Sequence, residues 1–218
     1  MALETKIPFD HKTKSKRRQP RVFVYTIVTD AGFAPNAEGT YLTLATCKPQ
    51  IRERAQVGDI IIAHHKKARG GRVCYVMIVT ETMWQDEYYN DERFQYKIPS
   101  ATNPTGDNCY HPLANGGYEQ LPCQHGACDQ EKDLRAPVLI SECFTYLGRK
   151  SVDAVEEDHE LPEWIPSCGR GYRVKKDGEL IDYRRTLEWT ASFSRGKLGE
   201  PTDKPKGRCG GKGRRGGC

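Results

Sequence analysis

The sequence lacks the features that mark membrane and secreted proteins. No apolar run approaches the roughly 20 residues that a membrane-spanning helix needs. The first ten residues, MALETKIPFD, contain no apolar core of a secretory signal. Hydrophobic residues make up 37% of the chain, which is low for a protein folded over its whole length and indicates polar segments beside one domain. We therefore expect a soluble cytoplasmic protein.

Two common catalytic motifs are also missing. The chain contains neither the GxxxxGK loop that cradles phosphates nor the GxSxG turn of serine hydrolases. Its nine cysteines are an odd number, and 218 residues can fold without disulfide staples, so we interpret them as reduced thiols. Cys47, Cys74 and Cys143 lie in or beside apolar stretches and are expected to be small buried residues.

Positive charge is concentrated at the two ends of the chain. The formal net charge is +5, but residues 1–21 carry +5 and residues 195–218 carry +6, which leaves −6 for the middle. We predict a basic arm (1–20), one domain (21–194) and a Gly/Lys/Arg-rich basic tail (195–218). Basic arms increase affinity for phosphate backbones without reading sequence. The alternative is that they are solubilising linkers.

The middle of the chain is dominated by short strands. β-Branched and aromatic residues predict strands over 21–29, 41–46, 59–64, 73–80 and 136–148, and PQIRERA predicts a short helix that begins at Pro49. Residues 55–80 read as two strands joined by a basic loop. About 40 residues, 94–135, are rich in Gly, Pro, Asn and Cys, and a loop of that length is usually functional or held in place. We predict an α+β fold, a small mixed β-barrel with short helices and a long irregular loop.

A basic edge is predicted where the helix and the hairpin loop meet. Residues 48–72 carry a net charge of +5. Side chains on one rim of a barrel would contact phosphates there, whereas the alternative is an ordinary solvated loop. The candidate phosphate-binding residues are Lys48, Arg52, Arg54, Lys66, Lys67 and Arg69.

An aromatic pocket is the second candidate site. A pocket that holds an extruded base needs flat apolar walls and a few polar groups that read the base edge. The candidates for base or nucleotide binding are Phe33, Asn36, Tyr41, Tyr88, Tyr89, Asn108 and Tyr110. Half or more of the aromatic residues must belong to the core, and Trp84 and Phe94 are the first to assign to packing.

The long loop concentrates residue types that perform acid–base chemistry. An Asp and a His held close together can orient a water molecule or transfer a proton, and Asp107, His111 and His125 are the candidate catalytic residues. The alternative is ordinary turn chemistry. The same loop contains Cys-x-His and Cys-x-His-x-x-Cys spacings that would suit a tetrahedral zinc site. The candidate ligands are Cys109, His111, Cys123, His125 and Cys128, and the alternative is independent thiols and histidines.

Several runs of the sequence resemble one known family. They are GFAPN (32–36), TLATCKP (43–49), IRERAQVGD (51–59), DEYYNDERFQ (86–95), GDNCYH (106–111) and VLIS (138–141). In this order they resemble the nucleotide-modification-associated domain of the second type, and the Gly-Asp turn before a strand resembles the PUA, ASCH and EVE pseudobarrels. The resemblance implies a bacterial or phage-infected host, a link to DNA base modification, and DNA, another nucleic acid or a nucleotide as partner.

Three functions are compatible with these features. The first is a module that recognises a modified base in the aromatic pocket and phosphates at the basic edge. The second is a hydrolase or transferase of nucleotide or DNA-base modification that uses the Asp and His residues of the long loop. The third is a protein that binds nucleic acid nonspecifically through its tails.

Overall fold

The computed structural model describes residues 18–153 and 159–205, and a six-stranded sheet forms its centre. In spatial order the strands are β10 (Tyr172–Arg173), β1 (Val22–Thr26), β3 (Ile60–His64), β4 (Val73–Ile78), β9 (Cys143–Tyr146) and β13 (Gly196–Lys197). β1 and β3 are parallel, with Val22 opposite Ile60 and Thr26 opposite His64. β4 is antiparallel to both of its neighbours, β3 and β9, and its pairing with β3 confirms the predicted hairpin of residues 55–80.

Both faces of this sheet are covered. Side chains of a strand alternate between faces, so Phe23 and Ile61 join one hydrophobic cluster while Val24 and Ile62 join another. Strands buried on both sides read as continuous apolar runs rather than alternating ones, which explains the sequence IIIAH of β3. The second face packs beneath α5 (Tyr183–Thr190), whose Leu187 contacts that cluster.

A second, three-stranded antiparallel sheet lies beside the first. Its order is β2 (Leu42–Leu44), β8 (Val138–Ser141) and β5 (Glu81–Met83). Two hairpins complete the strands: β6 (Tyr110–Pro112) with β7 (Tyr118–Gln120), and β11 (Lys175–Lys176) with β12 (Glu179–Leu180).

The other helices are short. They are α1 (Pro49–Arg52), α2 (Gln85–Asn90), α3 (Gln130–Leu134) and α4 (Lys150–Asp153), with 3₁₀ turns at Lys67–Arg69, Glu92–Lys97 and Ala127–Asp129. Pro49 stands at the start of α1, as predicted. None of the helices in the described ranges is long and apolar enough to cross a bilayer.

The α+β prediction is confirmed, with several sheets and short helices. Within the described ranges the strands do not close into a barrel, because β10 and β13 are the two edges of the central sheet. The narrower likeness to PUA and EVE pseudobarrels stays a prediction. The long segment 94–135 is less irregular than its composition suggests, since it contains β6, β7 and α3.

The predicted ends of the domain differ in how much of each is described. Residues 1–17 and 206–218, which carry most of the predicted arm and tail, lie outside the described residues. Residues 196–203 belong to the fold: β13 pairs with β9, and the backbone amide of Arg149 donates to the Glu200 carbonyl at 2.7 Å.

Candidate functional site

A basic pocket of about 950 Å³ opens at the carboxyl ends of β1 and β3. Thr26 and His64, the last residues of these two parallel strands, both line it. The pocket is large enough for a nucleotide-sized ligand. Its lining contains five cationic side chains and, as far as the described residues define it, no carboxylate: Lys48, Lys66, Lys67, Arg170 and Arg173. A multiply charged anion is the ligand that such a pocket favours.

His64 holds the loop that forms one wall of this pocket. Its Nε2 accepts a hydrogen bond of 2.9 Å from the backbone amide of Cys168, and its Nδ1 donates to the carbonyl of His65 at 2.9 Å. This pattern requires a neutral ring, and burial lowers the pKa of His64 accordingly. The loop SCGRG (167–171) is thereby fixed beside the strand ends with Arg170 in the lining.

The predicted phosphate-binding residues divide into two groups. Lys48, Lys66 and Lys67 line the pocket. The other three side chains have internal partners: Arg52 is fully buried, Arg54 donates to the Tyr172 hydroxyl, and Arg69 forms an ion pair of 2.6 Å with Asp203. No prediction covered Arg170 and Arg173, although two arginines close to two glycines in SCGRGYR were a signal for a basic loop.

Asp107, a predicted catalytic residue, lies in a buried polar network. Its two carboxylate oxygens accept hydrogen bonds from Thr43 Oγ1 at 2.6 Å and from the Tyr88 hydroxyl at 2.9 Å. Lys97 Nζ donates to the same Thr43 oxygen at 3.1 Å and to Asn36 Oδ1 at 2.8 Å. Burial raises the pKa of Asp107 and lowers that of Lys97 to about 8. This arrangement ties β2 to the 3₁₀ turn that contains Lys97.

Most of the predicted base-binding residues lie in the interior. Phe33, Asn36, Tyr88, Asn108 and Tyr110 are buried, whereas Tyr41 and Tyr89 are only partly buried. Tyr89 stacks on the imidazole of His111, with ring centroids 4.8 Å apart and an interplanar angle of 19°.

The packing predictions for the other aromatic residues had different outcomes. Phe94 is in the core, as predicted, but the prediction that Trp84 packs in the core is wrong, because Trp84 is 51% exposed at the start of α2.

A thiol, an imidazole and a carboxylate meet in a second cluster, formed by Cys47, His125 and Asp133. His125 Nε2 lies 3.0 Å from Cys47 Sγ, and His125 Nδ1 lies 2.6 Å from Asp133 Oδ2. Cys47 was expected to be buried, but it is partly exposed, in the turn between β2 and α1. Its signal was the run TCKP, since a proline that starts a helix leaves the preceding residues in a turn.

Two further side chains fix this cluster. The Tyr110 hydroxyl donates to Asp133 Oδ2 at 2.7 Å, and the backbone amide of Cys47 donates to Asp133 Oδ1 at 2.9 Å. Arg52 lies beneath, with Nη2 2.6 Å from the Ala136 carbonyl and 2.8 Å from the Asp133 carbonyl. The carboxylate of Asp133 thus accepts two hydrogen bonds besides its contact with His125, and Arg52 Nη1 lies 3.7 Å from its Oδ1.

The predicted zinc ligands are distributed over several environments. Cys109 and Cys123 are buried neighbours, and a hydrogen bond from the Cys109 thiol lowers the pKa of Cys123 to about 6. His125 faces Cys47, His111 lies 3.5 Å from Glu119, and Cys128 is exposed. The structure therefore brings together only part of the predicted set.

Another group of three metal-ligating side chains is buried near the C-terminal segment. Among the described residues, Asp30, His65 and Cys74 are the only three whose donor atoms all lie within 4.8 Å of one another. The Asp30 carboxylate already accepts hydrogen bonds from the Tyr146 hydroxyl at 2.6 Å and from the Thr202 amide at 3.1 Å. Burial also raises the pKa of Cys74, which favours its thiol form. Hydrogen bonds within the protein therefore account for the proximity of these three side chains.

Comparison with known proteins relates the chain to one family. No match was found among curated proteins or among solved structures. The family model described as nucleotide modification associated domain 2 matches residues 19–207, which include the basic pocket and the Cys47–His125–Asp133 cluster. The match covers most of the chain, and the protein therefore belongs to the nucleotide modification associated domain 2 family.

Proposed function

We propose that this protein takes part in DNA base modification. In this role it binds a nucleotide or a nucleic-acid strand through phosphate groups held in the basic pocket. The observation that supports this most directly is the set of five cationic side chains that line the pocket, with no carboxylate among its described lining residues. Family membership associates the chain with nucleotide modification. Lysine and arginine contacts to phosphate supply affinity without selecting a sequence.

Recognition of a modified base is the finer part of the proposal. A base can stack on an aromatic face that remains accessible, and the partly exposed stack of Tyr89 and His111 offers such a face. Tyr41 is the other predicted base-binding aromatic with accessible surface. The buried candidates would act by shaping the core behind these residues.

Binding to DNA oligonucleotides across a range of salt concentrations tests the phosphate pocket. We expect the triple variant Lys66→Ala/Lys67→Ala/Arg170→Ala to reduce the slope of log Kobs against log salt by about 3, because each lost phosphate contact removes about one unit. The matched control removes three exposed cations elsewhere: Lys132→Ala/Lys150→Ala/Arg184→Ala. An equal loss in the control would show that overall charge and the basic ends suffice, as in the nonspecific alternative.

Base recognition needs a separate comparison. Oligonucleotides that differ only in one modified base, such as 5-hydroxymethylcytosine in place of cytosine, are titrated at one salt concentration. A preference for the modified strand that is lost in Tyr89→Ala supports the base-reading proposal. Equal affinity for both strands in the unsubstituted protein contradicts it and leaves phosphate binding standing.

A second candidate function is enzymatic. The observation that favours it is the contact of a partly exposed thiol with a histidine that is itself held by a buried carboxylate. His125 belongs to the predicted catalytic set, whereas Asp107 lies in its own network and His111 lies beside Tyr89 and Glu119.

A further inference from the structure

The cluster of Cys47, His125 and Asp133 has the geometry of a nucleophile, its base and the group that orients the base. A thiol becomes a nucleophile when a neighbouring base accepts its proton, and the base works best when a third group fixes its ring and tautomer. Asp133 Oδ2, at 2.6 Å from His125 Nδ1, selects the tautomer that carries the proton on Nδ1. Nε2 is then free of a proton and faces Cys47 Sγ at 3.0 Å.

We propose that Cys47 is a catalytic nucleophile that accepts an acyl group from the exocyclic amine of a nucleotide base and passes it to water. His125 is the base in this proposal and Asp133 is a positioning residue. The nucleotide part of the substrate rests on the proposed function, because the phosphate would lie in the basic pocket. The acyl-transfer part rests on the geometry of the cluster alone.

The reaction balances in two steps. First, Cys47 Sγ attacks the carbonyl carbon of the acyl group and its proton passes to His125 Nε2. The S–C bond forms, the C–N bond breaks, and the amine of the base leaves with the proton that His125 held. Next, His125 takes a proton from water, which attacks the thioester carbon. The S–C bond breaks, a carboxylic acid is released, and His125 returns its proton to the Cys47 thiolate, which regenerates the thiol. No oxidant or reductant is required.

The position of Cys47 in the fold supports this role. It lies in the turn that joins β2 to α1, and it adopts φ = 58°, a left-handed conformation that is uncommon for residues other than glycine. The next residue, Lys48, has φ = 43° and lines the basic pocket. A strand–turn–helix connection with a nucleophile in the turn presents the side chain outward. The thiol is therefore adjacent in sequence to the proposed phosphate site.

Among the described residues, Cys47 is the one thiol that combines partial exposure with an imidazole nitrogen within hydrogen-bonding distance. The pKa of Cys123 is lowered to about 6, but only 5% of the residue is exposed. Cys74 and Cys109 are buried, and burial raises the pKa of each thiol. Cys128 is more exposed than Cys47 and serves as the matched control for simple accessibility.

The ring of His125, the proposed base, is held rigidly by its neighbours. His125 is 8% exposed, and its ring packs edge-on against Phe33 at 5.1 Å. Asp133 is fixed by the Tyr110 hydroxyl and by the amide of Cys47 itself, so that the carboxylate also sets the position of the nucleophile's backbone. Catalytic groups function when their own conformations are held by such surrounding contacts.

The first experiment tests the nucleophile without using the pocket. The full chain is mixed with p-nitrophenyl acetate, a small uncharged ester, and the site and rate of acetylation are followed by intact mass and peptide mapping. We expect a hydroxylamine-sensitive thioester on Cys47, and none in Cys47→Ala. His125→Ala should react about 100-fold more slowly, the lower end of the range for general acid–base catalysis, and added imidazole should restore part of the rate.

Two controls make this result decisive. In the Cys128→Ser variant, Cys47 should be acetylated at the same rate as in the unsubstituted protein. Circular dichroism must show that the His125→Ala variant is folded. Faster acetylation of Cys128 than of Cys47, or an unchanged rate in folded His125→Ala, would overturn the assignment of the nucleophile and its base.

The second experiment tests the substrate class. N4-acetyl-2′-deoxycytidine 5′-monophosphate and the corresponding nucleoside are incubated with the protein, and release of acetate is measured. We expect cleavage of the nucleotide that requires Cys47 and that falls towards the nucleoside level in Lys66→Ala/Lys67→Ala/Arg170→Ala. Acetylation by the ester without cleavage of either compound would overturn the acyl-nucleotide assignment. A nucleotide that is cleaved no better than the nucleoside would instead count against the phosphate pocket, so the two proposals fail separately.

Discussion

Arg69 forms a bidentate ion pair with Asp203, in which Nη2 donates to Oδ1 at 2.6 Å and Nη1 donates to Oδ2 at 3.0 Å. The pair joins the basic loop between β3 and β4 to the C-terminal segment. Thr202 beside it donates its amide to Asp30 at 3.1 Å. These contacts and the pairing of β13 make residues 196–203 part of the fold, although their composition was interpreted as part of a tail.

Asp203→Asn is expected to lower the free energy of unfolding at pH 7 by about 1 kcal/mol, because a partly exposed ion pair contributes little more than that. The Arg69 hydrogen bonds lower the pKa of Asp203 from 3.8 to about 2. A carboxyl group with a lowered pKa in the folded state stabilises the protein above its ordinary pKa, and this contribution disappears as the pH falls. Urea unfolding should therefore show the difference between Asp203→Asn and the unsubstituted protein shrinking from pH 4 to pH 2. Glu179→Gln, on the exposed strand β12, should show no comparable change.

Lys97 provides a second test of pH dependence, at alkaline rather than acidic pH. Burial lowers its pKa from 10.5 to about 8, so the unfolded chain binds more protons at this group between those values. Stability contributed by Lys97 should therefore rise as the pH increases from about 8 towards 10. Lys97→Met should be less stable by about 3 kcal/mol at pH 7, since it leaves Asp107 without its cation. Denaturant unfolding at pH 7.5 and 9.5 measures both effects; a difference that narrows with rising pH would contradict the assignment.

Arg52 was predicted to contact phosphate, but its contacts predict a structural role. The buried guanidinium donates to the carbonyls of Asp133, Ala136 and Pro137, and so fastens α1 to the segment before β8. Arg52→Ala should cost about 3 to 5 kcal/mol, because several carbonyl groups and the Asp133 carboxylate lose a buried partner. Arg135→Ala, which removes a half-exposed ion pair with Glu53, should cost less than about 1 kcal/mol. Thermal and urea unfolding of both variants distinguish a structural arginine from a surface one.

Much of the fold could be predicted because strands and short helices leave local traces. The sequences VFVYT, IIIAH and VCYVMI are rich in β-branched residues, and all three form strands of the central sheet. Pro49 marks the start of α1 for a reason that is equally local. Closure of a sheet is not a local property, and in the described part of the chain the central sheet is open, with β10 and β13 at its edges, instead of the predicted barrel.

The candidate sites could be predicted only in part, and the reason is the distance in sequence between the groups that meet. Lys66 and Lys67 could be identified because neighbouring charges in a loop share one surface. Arg170 and Arg173 line the same pocket but lie about 100 residues later in the sequence. Tyr88 and Tyr110 looked like walls of a pocket, but a tyrosine's residue type does not reveal whether its hydroxyl meets solvent or a buried carboxylate. Here the hydroxyls meet Asp107 and Asp133.

By itself the sequence determined the α+β class, the hairpin of residues 55–80, the charge of its loop and the family, because each depends on residues that are near one another in the chain. Only the tertiary structure decided which thiol has a base beside it. Cys47 and His125 are 78 residues apart, and Cys47 and Asp133 are 86 apart. Arg52 joins the two segments that carry them, since its guanidinium connects α1 to the segment that precedes β8. No local sequence pattern indicates that contact, since it arises from the packing of segments that are distant in the sequence.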